Sequence, residues 1–449
     1  MFDIGIIGAG PAGYAAAIRA SQYGLKVILF EKNQIGGTCL NRGCIPTKAI
    51  LHSCRLFSEF KNAEKFGINA QNISFNFEKI WERQKTVSEK IRKSLTNLIK
   101  SYEITIIEEK AEIKSEHIIK TQSGEFEVKN IIIASGSKPN IIKFEGNYDK
   151  DFVLSSDDIL NINQLPSSIL IVGSGAIGIE WTRIFSVLGV KVYLTEMQDR
   201  IIPSADFEVS ERVSRLLKKS RTDFYTSTTI IRIDNKTVTL SNGKTIEPDC
   251  ILLGAGRLPD IDFGYFSENL EIKKYINTDC GFKTNIENIF AIGDVNGQSM
   301  LAHSAMKQAE DVIEYILEGN CPKFNRDIVP SVIYGTPEIA SIGKTEQELI
   351  NANIKYKKSL FPVSALGKAY ADGNIEGFIK ILASEDEILG AHIISEEASA
   401  MIEQIAIAMN NKITPEKLSN VIFAHPTYSE GVLESILALD KKAIHLPKQ

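Results

Sequence analysis

Two stretches of the chain carry the same order of apolar and polar positions. Ile6–Glu31 runs through an apolar segment, a G-x-G-x-x-G turn, a helical stretch, Gly-x-Lys-Val and a second apolar segment closed by Glu. Ile171–Glu196 repeats that order 165 residues later, and in both the Glu stands 23 residues after the first glycine. The pattern predicts strand–turn–helix–strand, twice. Further on, Ile80, Val87, Ile91, Leu95 and Leu98 fall at helical spacing, which predicts a long amphipathic helix over 77–101 with these side chains as its packed stripe. Residues 104–133 read as strands, and SGSKP at 135–139 as a turn-rich crossing point. An apolar run within 277–294 closes in Ile-Gly-Asp. From about 327, alternating runs around Val332, Ile339, Ile379 and Ile393 predict an antiparallel sheet with helices.

Composition narrows the class. A chain of 449 residues suggests about three domains, and 43% apolar with 24% charged residues supports a packed core. A net charge of −5 excludes a basic nucleic-acid groove as the dominant feature. The uncharged stretch from Ile4 to Ile18 follows Asp3, has no basic residue before it, and is broken by Gly8, Gly10, Pro11 and Gly13. It reads as a buried strand and turn, not as a signal or a membrane span. With no export signal seen and six cysteines, the expected setting is a reducing compartment, the cytoplasm. There a cysteine pair is more often catalytic than structural.

Each glycine turn fits a dinucleotide. The first glycine (Gly8, Gly173) allows the tight turn, and the second (Gly10, Gly175) lets backbone approach a pyrophosphate. The third (Gly13, Gly178) lets helix and strand pack closely. Glu31 and Glu196 can each accept hydrogen bonds from ribose hydroxyls, and either would repel a 2′-phosphate. Glu196 is followed by Met197 and Gln198, and the nearest arginine is Arg200. Two such sites point to FAD plus NAD in an oxidoreductase.

Cys39 and Cys44 follow the first unit in GGTCLNRGCIPTK (36–48). No second pair with zinc-ligand spacing accompanies them. On an ideal helix their Cα atoms would stand roughly 8.7 Å apart, beyond disulfide reach, so a redox pair requires a bend that Gly36, Gly37 and Gly43 permit. The residues alone leave a redox pair and two unconnected thiols equally open. Cys54, Cys250, Cys280 and Cys321 have no partner pattern and read as structural.

Taken with IVGSGAIGIE (171–180), LLGAGRLPD (252–260), TNIENIFAIGDV (284–295), MLAHSA (300–305), VIYGTPEIASIGKTE (332–346) and AHPTYSEG (424–431), this segment resembles the pyridine nucleotide–disulfide oxidoreductases over essentially the whole chain. Glu196 and the absence of a C-terminal cysteine pair favour the dihydrolipoamide-oxidising branch over glutathione-reductase-like or mercuric-reductase-like enzymes. The resemblance implies an α/β chain with two Rossmann-like dinucleotide-binding domains and a C-terminal α+β interface domain. The implied boundaries are 1–141 (FAD, first part), 142–269 (NAD), 270–326 (FAD, central part) and 327–449 (dimerisation).

The resemblance also implies roles. Cys39 is the interchange thiol and Cys44 the flavin-facing one. Lys48 and Glu180 pair beside the flavin. His425 is the acid–base group, oriented by Glu430, although Thr427–Glu430 also reads as a capping box for the last helix. FAD would be held by Gly8, Gly10, Gly13, Glu31, Gly37, Thr38, Lys48, Gly136, Asp294, Met300, Leu301, Ala302 and His303, the last as part of a helix start. NAD would be held by Gly173, Gly175, Gly178, Glu196 and Gly256. The implied enzyme is a homodimer that lends His425 to the partner's cysteines. It oxidises protein-bound dihydrolipoamide with NAD⁺ beside a lipoyl-bearing acyltransferase of 2-oxo-acid dehydrogenase complexes, or in the glycine cleavage system. A reductase of another small disulfide and a flavoprotein assembly subunit are the rivals. No metal, nucleic acid or membrane is implied. Phe423 and Lys368 depart from the histidine and arginine that many relatives carry.

Overall fold

Both repeats fold as their pattern requires. Phe2–Ile7, Pro11–Gln22 and Val27–Phe30 form the first strand–helix–strand unit, and Ser168–Val172, Ala176–Val187 and Lys191–Thr195 the second. The strands pair in parallel, with Ile4 opposite Val27 and Ile169 opposite Val192. The computed structural model describes residues 1–220, 222–264, 268–322 and 324–448.

The first sheet orders Thr105–Ile107, Val27–Phe30, Phe2–Ile7 and Glu125–Ile133 side by side, all parallel. Its far edge is finished in two ways. Ile118–Lys120 pairs antiparallel with the start of Glu125–Ile133, and Ile289–Ala291 pairs parallel with its end. The chain therefore leaves this sheet, builds the second unit, and returns to complete the first. The second sheet is wholly parallel, in the order Thr222–Tyr225, Lys191–Thr195, Ser168–Val172, Cys250–Leu253 and Val153–Leu154. Strands such as VILF and CILL are apolar on both faces, as sheets covered by helices require.

The C-terminal sheet is antiparallel, in the order Ser331–Ile333, Glu338–Gly343, Ile388–Ser395, Phe378–Ala383 and Lys357–Pro362. Helices Ala398–Asn410 and Glu430–Ala438 pack on it. No helix among the described residues is long and apolar enough to cross a membrane.

The long helix spans Phe77–Ser101, opened by Asn76, whose side chain accepts from Lys79 N. Its buried stripe differs from the expected one. Trp81, Gln84, Ser88 and Ile99 are buried, whereas Ile91 and Leu98 are exposed. Trp81 and Gln84 turn inward because they donate to the carbonyls of Ile159 and Leu160. That contact rotates the apolar spacing away from the core.

Candidate functional site

The carboxyl ends of the first sheet's strands open into a cavity of about 1190 Å³. Gly8 begins the turn at φ +103°, and Gly173 begins its counterpart at φ +96°. A Cβ on Gly13 would stand 1.7 Å from the Gly8 carbonyl oxygen, and one on Gly178 1.9 Å from that of Gly173. The third glycines therefore permit the helix–strand contact. The second glycines face space: nothing lies within 4 Å of a Cβ at Gly175, and only the Gly37 Cα, at 3.8 Å, near one at Gly10. Of the expected FAD contacts all but Gly13 line the cavity, and so do Gly175 and Gly256 from the NAD set. Gly173, Gly178 and Glu196 do not.

The closing glutamates clasp their turns. Glu31 Oε2 accepts from Ala9 N at 2.8 Å and its Oε1 from Asn33 N at 2.8 Å. Glu196 Oε2 accepts from both the N–H (2.9 Å) and the hydroxyl (2.8 Å) of Ser174, and Oε1 from Gln198 N at 2.9 Å. Both glutamates are buried.

Gly43 supplies the bend between the cysteines. One helix, Gly37–Arg42, ends there, and a second, Cys44–Lys61, starts with Cys44 in its first turn. Both thiols are free and half-buried. Cys39 donates to the Cys44 sulfur, and this bond, aided by the charge of Lys48, brings the Cys44 thiol down to about 7 against the effect of burial. The same bond, together with burial, pushes the Cys39 thiol up. The acidity of the pair is thus concentrated on Cys44. Lys48 Nζ lies 2.9 Å from both oxygens of Glu180 and 4.7 Å from the centre of the Tyr334 ring. Tyr334 N donates to Glu180 Oε1 at 3.0 Å.

Asp294 closes the Ile-Gly-Asp turn and accepts from Ser137 Oγ at 2.5 Å. Burial raises its carboxyl, opposed by that hydrogen bond and by the Arg257 charge. Arg257 in turn donates to Ser137 Oγ (2.9 Å) and to its carbonyl (2.8 Å). Gln308 Oε1 accepts from Gly293 N at 2.7 Å and so fixes the turn from below. Arg257, Ser137 and Gln308 were not singled out in the sequence. Arg257 stands in GAGRLPD and Ser137 in SGSKP, two turns paired by short antiparallel strands. Helix Ala302–Glu318 starts at this wall, with Leu301 before its first turn. His303 belongs to that start, its Nε2 2.8 Å from the Pro330 carbonyl.

These groups fit FAD. The cavity has the volume to take a dinucleotide, its glycines admit phosphates to bare backbone, and the Cys39 and Cys44 thiols lie on the same wall.

His425 and Glu430 do not line this cavity. His425 is exposed, with Nδ1 2.8 Å from Glu430 Oε1. Thr427 N donates to Glu430 Oε2 at 2.9 Å. Burial would raise the Glu430 carboxyl, but these two bonds hold it below its usual range. The expected capping box does not form. Ser429 precedes the helix, and the Thr427 hydroxyl donates to the Ala424 carbonyl instead.

The second glycine turn is tied to the C-terminal sheet. Ser174 Oγ accepts from Ile202 N at 3.1 Å, and Asp206, four residues on, caps helix Phe207–Lys218. Fully buried Lys380 reaches Asp206 Oδ1 (2.8 Å), Glu346 Oε2 (2.6 Å) and Glu208 Oε2. Glu346 N also donates to Asp206 Oδ2 at 2.9 Å.

The chain is 36% identical to dihydrolipoyl dehydrogenase of Bacillus subtilis (strain 168), over 99% of both chains. It is 34% identical to the mitochondrial dihydrolipoyl dehydrogenase of Pisum sativum, over 99% of this chain and 92% of that one. The crystal structure of LpdA from Mycobacterium tuberculosis shares its fold at a TM-score of 0.90 and 24% identity, covering 98% of this chain and 100% of the other. The pyridine nucleotide-disulphide oxidoreductase family matches residues 2–309, and that family's dimerisation domain matches residues 329–436. With two clasped glycine turns, a thiol pair on the cavity wall and this match over both parts of the chain, the protein belongs to the pyridine nucleotide-disulphide oxidoreductases.

Proposed function

We propose that the chain oxidises protein-bound dihydrolipoamide to lipoamide and reduces NAD⁺, as a homodimer serving 2-oxo-acid dehydrogenase complexes or the glycine cleavage system in the cytoplasm. The observation that carries this reading is the unequal thiol pair beside Lys48–Glu180 on the cavity wall. FAD, when bound, supplies the two-electron relay between the dithiol and NAD⁺.

The residues divide the work as follows. In the oxidised form Cys39 and Cys44 share a disulfide. A substrate thiolate attacks the Cys39 sulfur, because Cys44 is the more acidic thiol and leaves the more readily. The second substrate thiolate then displaces Cys39 and closes the lipoyl disulfide. His425 takes the protons from the substrate thiols, and Glu430 fixes its ring through Nδ1, leaving Nε2 toward the substrate. Because His425 lies outside the cavity of its own chain, this reading assigns it to the cysteines of the partner protomer. Lys48 holds the thiolate charge at Cys44, and Glu180 and the Tyr334 ring hold Lys48.

A steady-state assay of the purified protein with NAD⁺ and dihydrolipoamide tests the proposal, with NADPH and glutathione disulfide as the contrasting pair. Turnover with the first pair and not the second is expected; the reverse removes the reading.

A further inference from the structure

Cys280 and Cys321 read as unpaired in the sequence, but the structure joins them in a disulfide across 41 residues, with Cα atoms 5.6 Å apart. Neither belongs to the cavity. Cys321 follows Gly319, which ends helix Ala302–Glu318, and the first turn of that helix lines the cavity. Seventeen helical residues span roughly 25 Å, so this pair stands well removed from Cys39 and Cys44.

Both cysteines are exposed and lie outside regular elements, so small thiols can reach the sulfurs. Packing that does not need the bond also holds the two segments together. The Phe282 and Phe324 rings meet edge to face with centroids 6.0 Å apart. The Tyr315 ring lies against Gly281, where a Cβ would meet it at 2.5 Å. Asp279 Oδ1 accepts from Gly281 N (2.8 Å) and Lys283 N (2.9 Å), shaping the turn that carries Cys280. The thiols therefore stay opposed when the bond is open, and closing it requires little further ordering.

We propose that Cys280 and Cys321 are a second, solvent-facing thiol–disulfide pair that exchanges reversibly with small disulfides and thiols, independently of the catalytic pair. In the closing direction, one cysteine thiolate attacks a small disulfide, forms a mixed disulfide and releases one small thiolate. The other cysteine thiolate then displaces the second. Two cysteine protons pass to solvent and two released thiolates take up protons, so one small disulfide is reduced for each Cys280–Cys321 bond formed.

The test equilibrates the purified holoenzyme in glutathione buffers of stepped thiol-to-disulfide ratio. Free thiols are then blocked by alkylation and the peptides mapped. The Cys280 peptide is expected to be cross-linked to the Cys321 peptide in oxidising buffer and alkylated in reducing buffer, on the same curve from either direction. Cys280→Ala is expected to keep full turnover and to leave Cys321 carrying only a glutathione mixed disulfide. A bond that persists at every ratio, one that never forms, or cross-linking of either cysteine to Cys39 or Cys44 overturns the proposal.

Discussion

Ser174 gives both of its donors to a single oxygen of Glu196, the N–H at 2.9 Å and the hydroxyl at 2.8 Å. In the first unit Ala9 holds the equivalent place and gives Glu31 only its N–H. The hydroxyl also accepts from Ile202 N, so Ser174 joins the second turn to the segment that runs on to Asp206. Glu196 is thus a buried clasp of the second glycine turn, the place where the proposed function puts the NAD ribose.

Nucleotide choice follows from that clasp. A 2′-phosphate beside Glu196 would set like charges together in a half-dry site, and a penalty of about 3 kcal/mol means more than a hundredfold preference for NAD⁺ in kcat/KM. Glu196→Ala strands the Ser174 and Gln198 donors, so KM is expected to rise for both nucleotides. Only with Met197→Arg added, at an exposed position, should the preference narrow or invert. Equal use of both nucleotides by the wild-type enzyme would contradict the assignment.

The unequal thiols predict unequal variants. After two-electron reduction, Cys39→Ser is expected to keep a Cys44 thiolate beside the Lys48 charge and a long-wavelength charge-transfer band that grows as pH rises. Cys44→Ser is expected to lose the band at every pH. Absorbance spectra across a pH series decide; identical behaviour of the two variants would reverse the roles.

If His425 serves the partner's cysteines, two dead enzymes should restore each other. His425→Gln and Cys44→Ser homodimers are each expected to lose at least a hundredfold in kcat. After unfolding and refolding together, mixed dimers carry one intact site, and about a quarter of wild-type activity returns. No recovery in verified mixed dimers would place the histidine in its own chain's site.

Glu396 should make stability fall with rising pH. Burial, with Glu338 and Glu59 nearby, raises its carboxyl to about 7, although Arg55 lies 2.9 Å away and Arg183 also opposes the shift. Between its ordinary value of 4.5 and about 7 the folded protein binds more protons than the unfolded chain, so this group's contribution declines across that window. Glu396→Gln is expected to gain on the wild type by up to roughly 3 kcal/mol from pH 4.5 to pH 8. Denaturant midpoints at both pH values measure it; a difference independent of pH would refute the shift.

Lys380 is wholly buried among Asp206, Glu208 and Glu346. Lys380→Met takes the lysine from buried Asp206, while Lys358 still pairs with Glu208 (3.3 Å) and Glu346 (3.0 Å), and is expected to lower stability by about 3–5 kcal/mol. Adding Asp206→Asn and Glu346→Gln should recover part of the loss. A single variant as stable as the wild type, by chemical denaturation, would show that the network carries no stability.

Much of the site was legible because its signals are local. The two glycine turns, Cys39-x₄-Cys44 with Gly43 between them, and His425 with Glu430 each lie within a few residues. What escaped depends on distant partners. Arg257 acquires its meaning from Ser137, 120 residues away, and Gln308 from Gly293 across a helix start. Cys280 and Cys321 meet only because helix Ala302–Glu318 carries the chain back along itself. In the long helix, apolar spacing located the element, but its inward face was chosen by Trp81 and Gln84 reaching two carbonyls.

The late return of the chain to the first sheet has a consequence for synthesis on the ribosome. Ile131 pairs with Ile289, so the growing first sheet keeps an open edge while more than a hundred and fifty further residues are made. The second sheet, by contrast, draws all its strands from the single span 153–253. The nascent chain thus completes its second nucleotide unit before its first, and the exposed backbone of Ile131–Ile133 is the stretch most in need of protection until then.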